Sequence, residues 1–254
     1  MMPSVLNILR TAAASLSEAV YPSRCEVCSE SLSDAGWLCG ECAGQLGKLA
    51  DHPSCPRCAA PLAMDGAPCP FCQGKGLYPL RLVARLAIYE EPLRQLIHSM
   101  KYESRWPLAE LLAERLCEQS SLMGLMSHVD LVVPVPLHIR RRLSRGYNQS
   151  DVIAGIIGRR FRKPVARVIS RLRATPTQTR IFAQADRQAN VKHAFGLLNE
   201  KKVAGKHILL VDDVMTTGAT LCETARCMLF ARPASISAAV LAVADPAHRH
   251  FTRV

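Results

Sequence analysis

Two groups of residues in this 254-residue chain have the types and spacing to do chemistry. The first is a set of eight cysteines in four Cys-x-x-Cys pairs: Cys25/Cys28, Cys39/Cys42, Cys55/Cys58 and Cys69/Cys72. Ten, twelve and ten residues separate successive pairs, which looks like a duplicated unit. A pair in a tight turn offers two thiolates to one metal, and two such turns complete a tetrahedral site. The second group lies in the stretch from Ile208 to Leu221, ILLVDDVMTTGATL, where an apolar strand ends at two acids and a Thr/Gly loop opens a helix. Free N–H groups of such a loop, with the hydroxyls of Thr216, Thr217 and Thr220, can surround a phosphate monoester. Gly218 allows the close approach. Asp212 and Asp213 are badly placed for a phosphate but well placed to accept from sugar hydroxyls one step away. The spacing therefore separates a polyol end from a phosphate end.

For the cysteines we expect two structural zinc ions, each closed by four sulfurs, with no vacant position for catalysis. Four pairs in 48 residues without a βαβ pattern are unlike a redox dithiol. Disulfides would need an oxidising compartment. One site per neighbouring pair of pairs is the simplest ligation, and a crossed arrangement has the same spacing. Filling both sites replaces eight neutral thiols by eight thiolates and two Zn²⁺, lowering the formal charge from +11 to +7. Prolines at 53, 56, 61, 68 and 70, with Gly36, Gly40 and Gly66, suggest knuckles and loops rather than helices. Cys117, Cys222 and Cys227 fall in expected helices and read as ordinary buried thiols.

The elements that must position these groups come from the apolar pattern. Strands are expected over Leu82–Tyr89, Val129–Pro136, Ile208–Val211 and Ile236–Val243. Helices are expected over Pro92–Met100, Trp106–Cys117, Gln149–Phe161 and Thr220–Phe230. Apolar strands without alternation, separated by helices, indicate an α/β fold with a mostly parallel sheet buried on both faces. Ligands bind at the carboxyl ends of such strands, which is where Asp212 to Thr220 fall. Residues 1–22 read as an amphipathic helix, 23–76 as the cysteine-rich zinc region and 77–254 as the α/β domain.

Composition limits the function. At 49% apolar the chain is neither disordered nor fibrous, and no run of eighteen apolar residues exists to cross a membrane. The first ten residues lack the basic region of a signal peptide, so a cytoplasmic protein is expected. The charge of +11 is concentrated: from Leu137 to Arg173 eleven Arg and Lys face one acid, Asp151. That block suits phosphate-rich ligands or nucleic acid, or a solvated face that only keeps the protein soluble.

The residues Ile208–Thr220 resemble the phosphoribosyl-pyrophosphate motif of type I phosphoribosyltransferases. The four cysteine pairs, Tyr89, Lys101, Val133–Pro136, Arg145–Gln149, Gln178, Arg187–Asn190 and Ala194-Phe195 narrow the resemblance to the ComF/GntX family, over about Cys25 to Ala242. It implies a type I phosphoribosyltransferase-like fold after a double zinc ribbon, and a link to natural competence, to handling of internalised DNA and to its use as a nutrient. On this chain Asp212 and Asp213 would bind the ribose hydroxyls, and Thr216, Thr217, Gly218, Ala219 and Thr220 would cradle the 5-phosphate. Mg²⁺ would bridge pyrophosphate and ribose oxygens rather than sit in a protein cage. Pro134–His138 corresponds to the pyrophosphate loop. Two prolines remove backbone donors there, so Arg140, Arg141, Arg142, Arg145 or Lys101 must compensate.

Plainer roles compete for each residue. The acid pair suits a helix cap, Arg145 and Asn148 suit the flank of the Gln149 helix, Lys101 a solvated helix end, and His138 no role at all. Gln178, Arg187 and Asn190 suit either a loop closing over ligand or a surface crossover. Three functions follow. One is pentosyl transfer from phosphoribosyl pyrophosphate, with Asp212, Asp213 and Arg145 as the catalytic set and Lys101 beside the ligand. Another is a non-catalytic accessory protein that binds single-stranded DNA on the same scaffold. A third is a module docking on a DNA-uptake helicase or other competence protein.

Overall fold

The computed structural model describes residues 24–32, 36–103, 105–137, 143, 145–172 and 194–244. The helix expected over residues 1–22, the residues His138, Arg140, Arg141 and Arg142, and the stretch holding Gln178, Arg187 and Asn190 lie outside the described residues. The chain separates into two compact units, Met1–Lys48 and Leu49–Val254. The first cysteine quartet belongs to the smaller unit and the second to the larger.

Each quartet starts with the same knuckle. In the smaller unit Cys25 N–H donates to Glu30 and Ser29 N–H to Cys25; in the larger, Cys55 N–H donates to Ala60 and Ala59 N–H to Cys55, all at 2.8–2.9 Å. Ser29 and Ala59 both adopt positive φ, and the flanking bridges Arg24–Ser31 and Ser54–Pro61 match. The second halves of the repeats diverge. Gly40–Ala50 is a helix, α1, where the sequence suggested only knuckles and loops. No proline falls between Gly36 and His52, and Cys42 and Leu46, one turn apart, form its buried stripe. The later repeat has Pro68 and Pro70 there and stays in turns.

The larger unit is built on four parallel strands. These are β1 (Val83–Ile88), β2 (Leu131–Pro134), β5 (His207–Met215) and β6 (Ser235–Val243), in the order β1-β6-β5-β2. Every residue of β1 and β2 is buried, which is why these segments show no alternation. Ile208 and Leu210 cluster with Leu221, Ala225 and Met228 of α6 (Ala219–Met228). The intervening Leu209 and Val211 turn to the other face, where α5 (Gln149–Phe161) packs on β5 and β2. Helix α2 (Leu93–Tyr102) precedes α3 (Pro107–Cys117), which starts at a proline and buries Leu108, Leu112 and Leu116 fully. Three elements have no counterpart in the sequence reading. They are α4 (Ser120–Met126) and the antiparallel pair β3 (Ile169–Arg171) and β4 (Phe195–Leu197). Among the described residues no helix is long and apolar enough to cross a membrane.

One boundary moves where it matters. β5 does not stop at Val211 but runs through both acids to Met215, because β6 continues beside it and pairs Val240 with Asp212 and Val243 with Met215. On its other side β2 ends at Pro134, opposite Val211, and Val135 N–H makes a last bond to the Val211 carbonyl. Beyond that point, among the described residues, no strand flanks β5 on the β2 side. That is the crevice position of open α/β sheets.

Candidate functional site

Both quartets are assembled by neighbouring pairs. The sulfurs of Cys25, Cys28, Cys39 and Cys42 lie within 4.8 Å of one another, as do those of Cys55, Cys58, Cys69 and Cys72. The crossed arrangement is therefore not adopted. The Sγ–Sγ distances Cys28–Cys39, 3.6 Å, and Cys55–Cys72 and Cys58–Cys69, 3.7 Å each, are far from a disulfide bond. They match the edge of about 3.8 Å that zinc–sulfur bonds impose on a tetrahedron. Backbone N–H groups of Cys42 and Cys72 point at the sulfurs of Cys39 and Cys69 at 3.5 Å. An all-thiolate tetrahedron is the donor set for zinc, with a structural and not a catalytic role. Among the described residues these are the only groups of three or more side chains able to hold a metal ion.

The second quartet is seated on the sheet by a buried cation. Arg85 of β1, only 4% exposed, donates to the carbonyls of Ala59 and His52 at 2.8 Å each. Burial lowers its pKa to about 10, while the neighbouring Cys58 sulfur acts to raise it. A zinc bound by four thiolates would carry a net formal charge of −2, of which the guanidinium would offset one unit.

The acid pair lies at the end of β5, held from two helices. Ser150 of α5 donates its hydroxyl to Asp212 Oδ1 at 3.1 Å, and the N–H of Asp213 donates to the same oxygen at 2.9 Å. Lys101 Nζ, from the last turn of α2, sits 3.0 Å from Asp213 Oδ2. Both partners of that pair are largely enclosed, with side chains 17% and 15% exposed. Lys101 is thus not a solvated helix end. Desolvation, reinforced by the charge of Asp213, pushes the Asp212 carboxyl up to about 7. Its bonds to Asp213 N–H and Ser150 and the nearby Lys101 only partly offset this.

The loop after the acids places Thr216, Thr217 and Gly218 ahead of Ala219 and Thr220, the first residues of α6. Gly218 takes φ +74°, a conformation that favours glycine, and a Cβ there would stand 3.0 Å from Leu77 Cδ1. Neither acid caps the helix, because Gly218 occupies the N-cap position.

Arg145 and its neighbours brace the same corner. The Arg145 guanidinium lies over the Tyr102 ring at 5.0 Å and donates to Gln149 Oε1 at 3.5 Å. Tyr147 donates its hydroxyl to the Met100 carbonyl. Asn148 is the N-cap residue of α5, yet its side chain does not cap; its amide donates to the Val135 carbonyl at 3.2 Å. Tyr89, at the end of β1, is raised to about 12 by burial and then by the Asp213 charge. The structure thus brings together Lys101, Asp212, Asp213 and the threonine loop, with Arg145 stacked on the residue after Lys101. Ser150, Tyr102 and Leu77 join them, and no periodicity or motif marks those three.

Residues 140–252 match the family model described as the phosphoribosyl transferase domain, and residues 16–73 match the double zinc ribbon domain. The chain is 36% identical over 222 residues to the DNA utilization protein YhgH of Salmonella typhimurium, across 82% of this chain and 91% of that protein. It is 29% identical over 192 residues to Competence protein F of Haemophilus influenzae, across 74% and 83% of the two chains. With Competence protein ComFC of Bacillus subtilis the identity is 25% over 204 residues, across 76% and 78%. A solved glutamine phosphoribosylpyrophosphate amidotransferase from B. subtilis, complexed with ADP and GMP, is 19% identical with a TM-score of 0.34. That match covers 55% of this chain and about a quarter (26%) of the solved one, a likeness too low to bear on the site.

Proposed function

Since the chain belongs to the ComF/GntX family of phosphoribosyltransferase-like proteins, we propose that its larger unit binds phosphoribosyl pyrophosphate, or a related ribose 5-phosphate, with Mg²⁺. In this reading the protein serves DNA uptake, or the use of imported DNA, in the cytoplasm. The observation that carries the ligand reading is one continuous run at the strand end. Asp213 is paired to Lys101 at 3.0 Å, Asp212 is held by Ser150, and a Thr-Thr-Gly turn opens α6 directly after them. The acids receive the ribose hydroxyls. Residues Thr216 to Thr220 hold the 5-phosphate at the start of α6, where helix N–H groups and dipole favour an anion. Lys101 and Arg145 face the pyrophosphate end. Mg²⁺ bound together with the ligand would neutralise part of the pyrophosphate charge beside Lys101 and Arg145.

The test is calorimetric titration with phosphoribosyl pyrophosphate and Mg²⁺, beside a folded Asp212→Asn/Asp213→Asn variant. Binding by the parent and none by the variant is the expected result. Silence from the parent, in calorimetry and in a direct binding assay, overturns the reading.

A second reading has its own observation. Arg159, Arg160, Arg162 and Arg167 are exposed around the end of α5, and Tyr102 and Trp106 expose 53% and 52% of their surface. Exposed cations suit single-stranded DNA held by backbone charge, with Trp106 as the ring for stacking, since the Tyr102 ring already carries Arg145. The relatives, a DNA utilization protein and a competence protein, agree with it as they do with the first reading. Titration of a labelled single strand at several salt concentrations tests it; binding that is absent, or indifferent to salt, rules it out.

A further inference from the structure

We propose that Leu77 is a positioning residue that couples the second cysteine quartet to the phosphate loop, so that metal at Cys55, Cys58, Cys69 and Cys72 sets how tightly the larger unit holds a phosphate. The inference rests on the ribose-phosphate reading above and goes beyond it by giving a closed zinc site a role in ligand binding.

Leu77 belongs to two apolar groups at once. It packs against the cluster around the quartet, with Ala60, Leu62 and Phe71, and against the core cluster that includes Leu221 and Cys222 of α6. Its link to the metal site is short and bonded throughout. Gln73 N–H donates to the Cys69 carbonyl at 3.0 Å, Lys75 N–H donates to the Cys72 carbonyl at 2.8 Å, and the Gly76 N–H is directed at the Cys72 sulfur. At its other end the Leu77 carbonyl accepts from the Leu80 N–H at 2.7 Å and from the Cys222 thiol at 3.8 Å. Its side chain fills the space beside Gly218, with Cδ1 3.0 Å from where a Cβ would stand.

A phosphate loop works by aiming several N–H groups at one point, so a small displacement of its backbone costs affinity steeply. Gly218 has no side chain to brace it, and the nearest wall against it is Leu77, with Met215 Sδ and Cys222 Sγ farther off at 3.7 and 3.9 Å. The apolar group around the quartet is small apart from its four cysteines, consisting of Ala60, Leu62, Ala67, Phe71 and Leu77 itself. A module of that size depends on metal for its folding energy. Without metal the turn Gln73–Gly76 loses the sulfur geometry that orders it, and Leu77 no longer holds the loop. Linkage makes this reciprocal: a ligand in the loop must tighten the quartet's hold on zinc by the same factor.

The experiment compares the parent with Leu77→Ala and Leu77→Met, all with zinc bound. Affinity for ribose 5-phosphate is measured by calorimetry, and zinc affinity by chelator competition with and without ribose 5-phosphate. We expect Leu77→Ala to keep two zinc ions and its circular dichroism but to bind ribose 5-phosphate about ten-fold more weakly. Leu77→Met, which refills the space, restores binding. In the parent, ribose 5-phosphate tightens one of the two zinc ions by a similar factor; in Leu77→Ala it does not. A parent that binds ribose 5-phosphate, beside a Leu77→Ala chain that binds it equally and a zinc affinity indifferent to ligand, overturns the coupling and leaves the ligand reading standing. A parent that binds neither ribose 5-phosphate nor phosphoribosyl pyrophosphate with Mg²⁺ overturns both.

Discussion

Tyr147 donates its hydroxyl to the main-chain carbonyl of Met100, forty-seven residues earlier and one residue before Lys101. The bond ties the segment that opens α5 to the last turn of α2. Lys101 then reaches Asp213 from a helix end that cannot fray freely, and Arg145 stacked on Tyr102 braces the same turn.

Tyr147→Phe tests that tie. It keeps the ring and removes one hydrogen bond, which contributes about 1 kcal/mol. We expect phosphoribosyl pyrophosphate to bind roughly five-fold more weakly, as that energy implies. In a Lys101→Ala background the same change should cost almost nothing, since its effect passes through the lysine. A double-mutant cycle by calorimetry checks this, and simple additivity would refute it.

The raised Asp212 carboxyl makes the stability of the fold depend on pH. Its pKa is about 7 in the folded chain against about 3.9 unfolded, so between those values the folded state binds more protons. Stability therefore falls as pH rises from about 4 to 7, and the penalty is fully present above 7. Asp212→Asn should raise stability by roughly 1–3 kcal/mol at pH 8 and leave it nearly unchanged at pH 4. The range is kept below the full value of the shift because Asp212 remains partly exposed. Urea unfolding at the two pH values reads this directly. Binding runs the other way, with the parent gaining affinity for ribose 5-phosphate over Asp212→Asn between pH 6 and 8.

Arg85→Met should be among the costliest substitutions outside the two sites. It leaves the carbonyls of Ala59 and His52 without their donor and the metal-loaded quartet without that offsetting charge. A loss of about 2–4 kcal/mol is expected, read from chemical denaturation. One of the two zinc ions should then pass to a chelator more readily than in the parent.

If α5's end carries DNA, replacing Arg159, Arg160 and Arg162 by alanine should reduce the slope of log affinity against log salt. Three lost phosphate contacts correspond to a change of about 2 for a single strand. The change should be the same for different base sequences, measured by fluorescence anisotropy.

The sheet was readable because its strands are buried on both faces and so appear as unbroken apolar runs; Leu209 and Val211 look like strand residues in any context. The cysteine pairs announced their ligation by spacing, and only the neighbouring-pair arrangement had to be seen. The end of β5 was not readable. Two aspartates look like a strand terminus, yet β6 carries the ladder past them, and that pairing is a long-range event with no local mark. Helix α1 was hidden by glycines at 40, 44 and 47, which argue against a helix until Cys42 and Leu46 are seen on one buried side. β3 and β4 are three residues each and too short to show a period. Ser150 is one more serine at a helix start, and only the fold places it against Asp212. The same holds for Leu77, whose importance comes from what lies on either side of it.

The strand order also bears on how the protein is made. β6 lies between β1 and β5, yet it is the last strand of the sheet to be synthesised. Val83 waits for Ala238, about 150 residues later on the ribosome. At ordinary elongation rates that interval is roughly ten to thirty seconds. Throughout it β1 lacks the strand it pairs with, and β5, once made, pairs with β2 but has an open apolar edge on its β6 side, while both cysteine modules are already complete and able to capture metal. A messenger cut short before Ser235 would yield metal-loaded knuckles attached to an open, adhesive sheet, a natural substrate for chaperones and proteases.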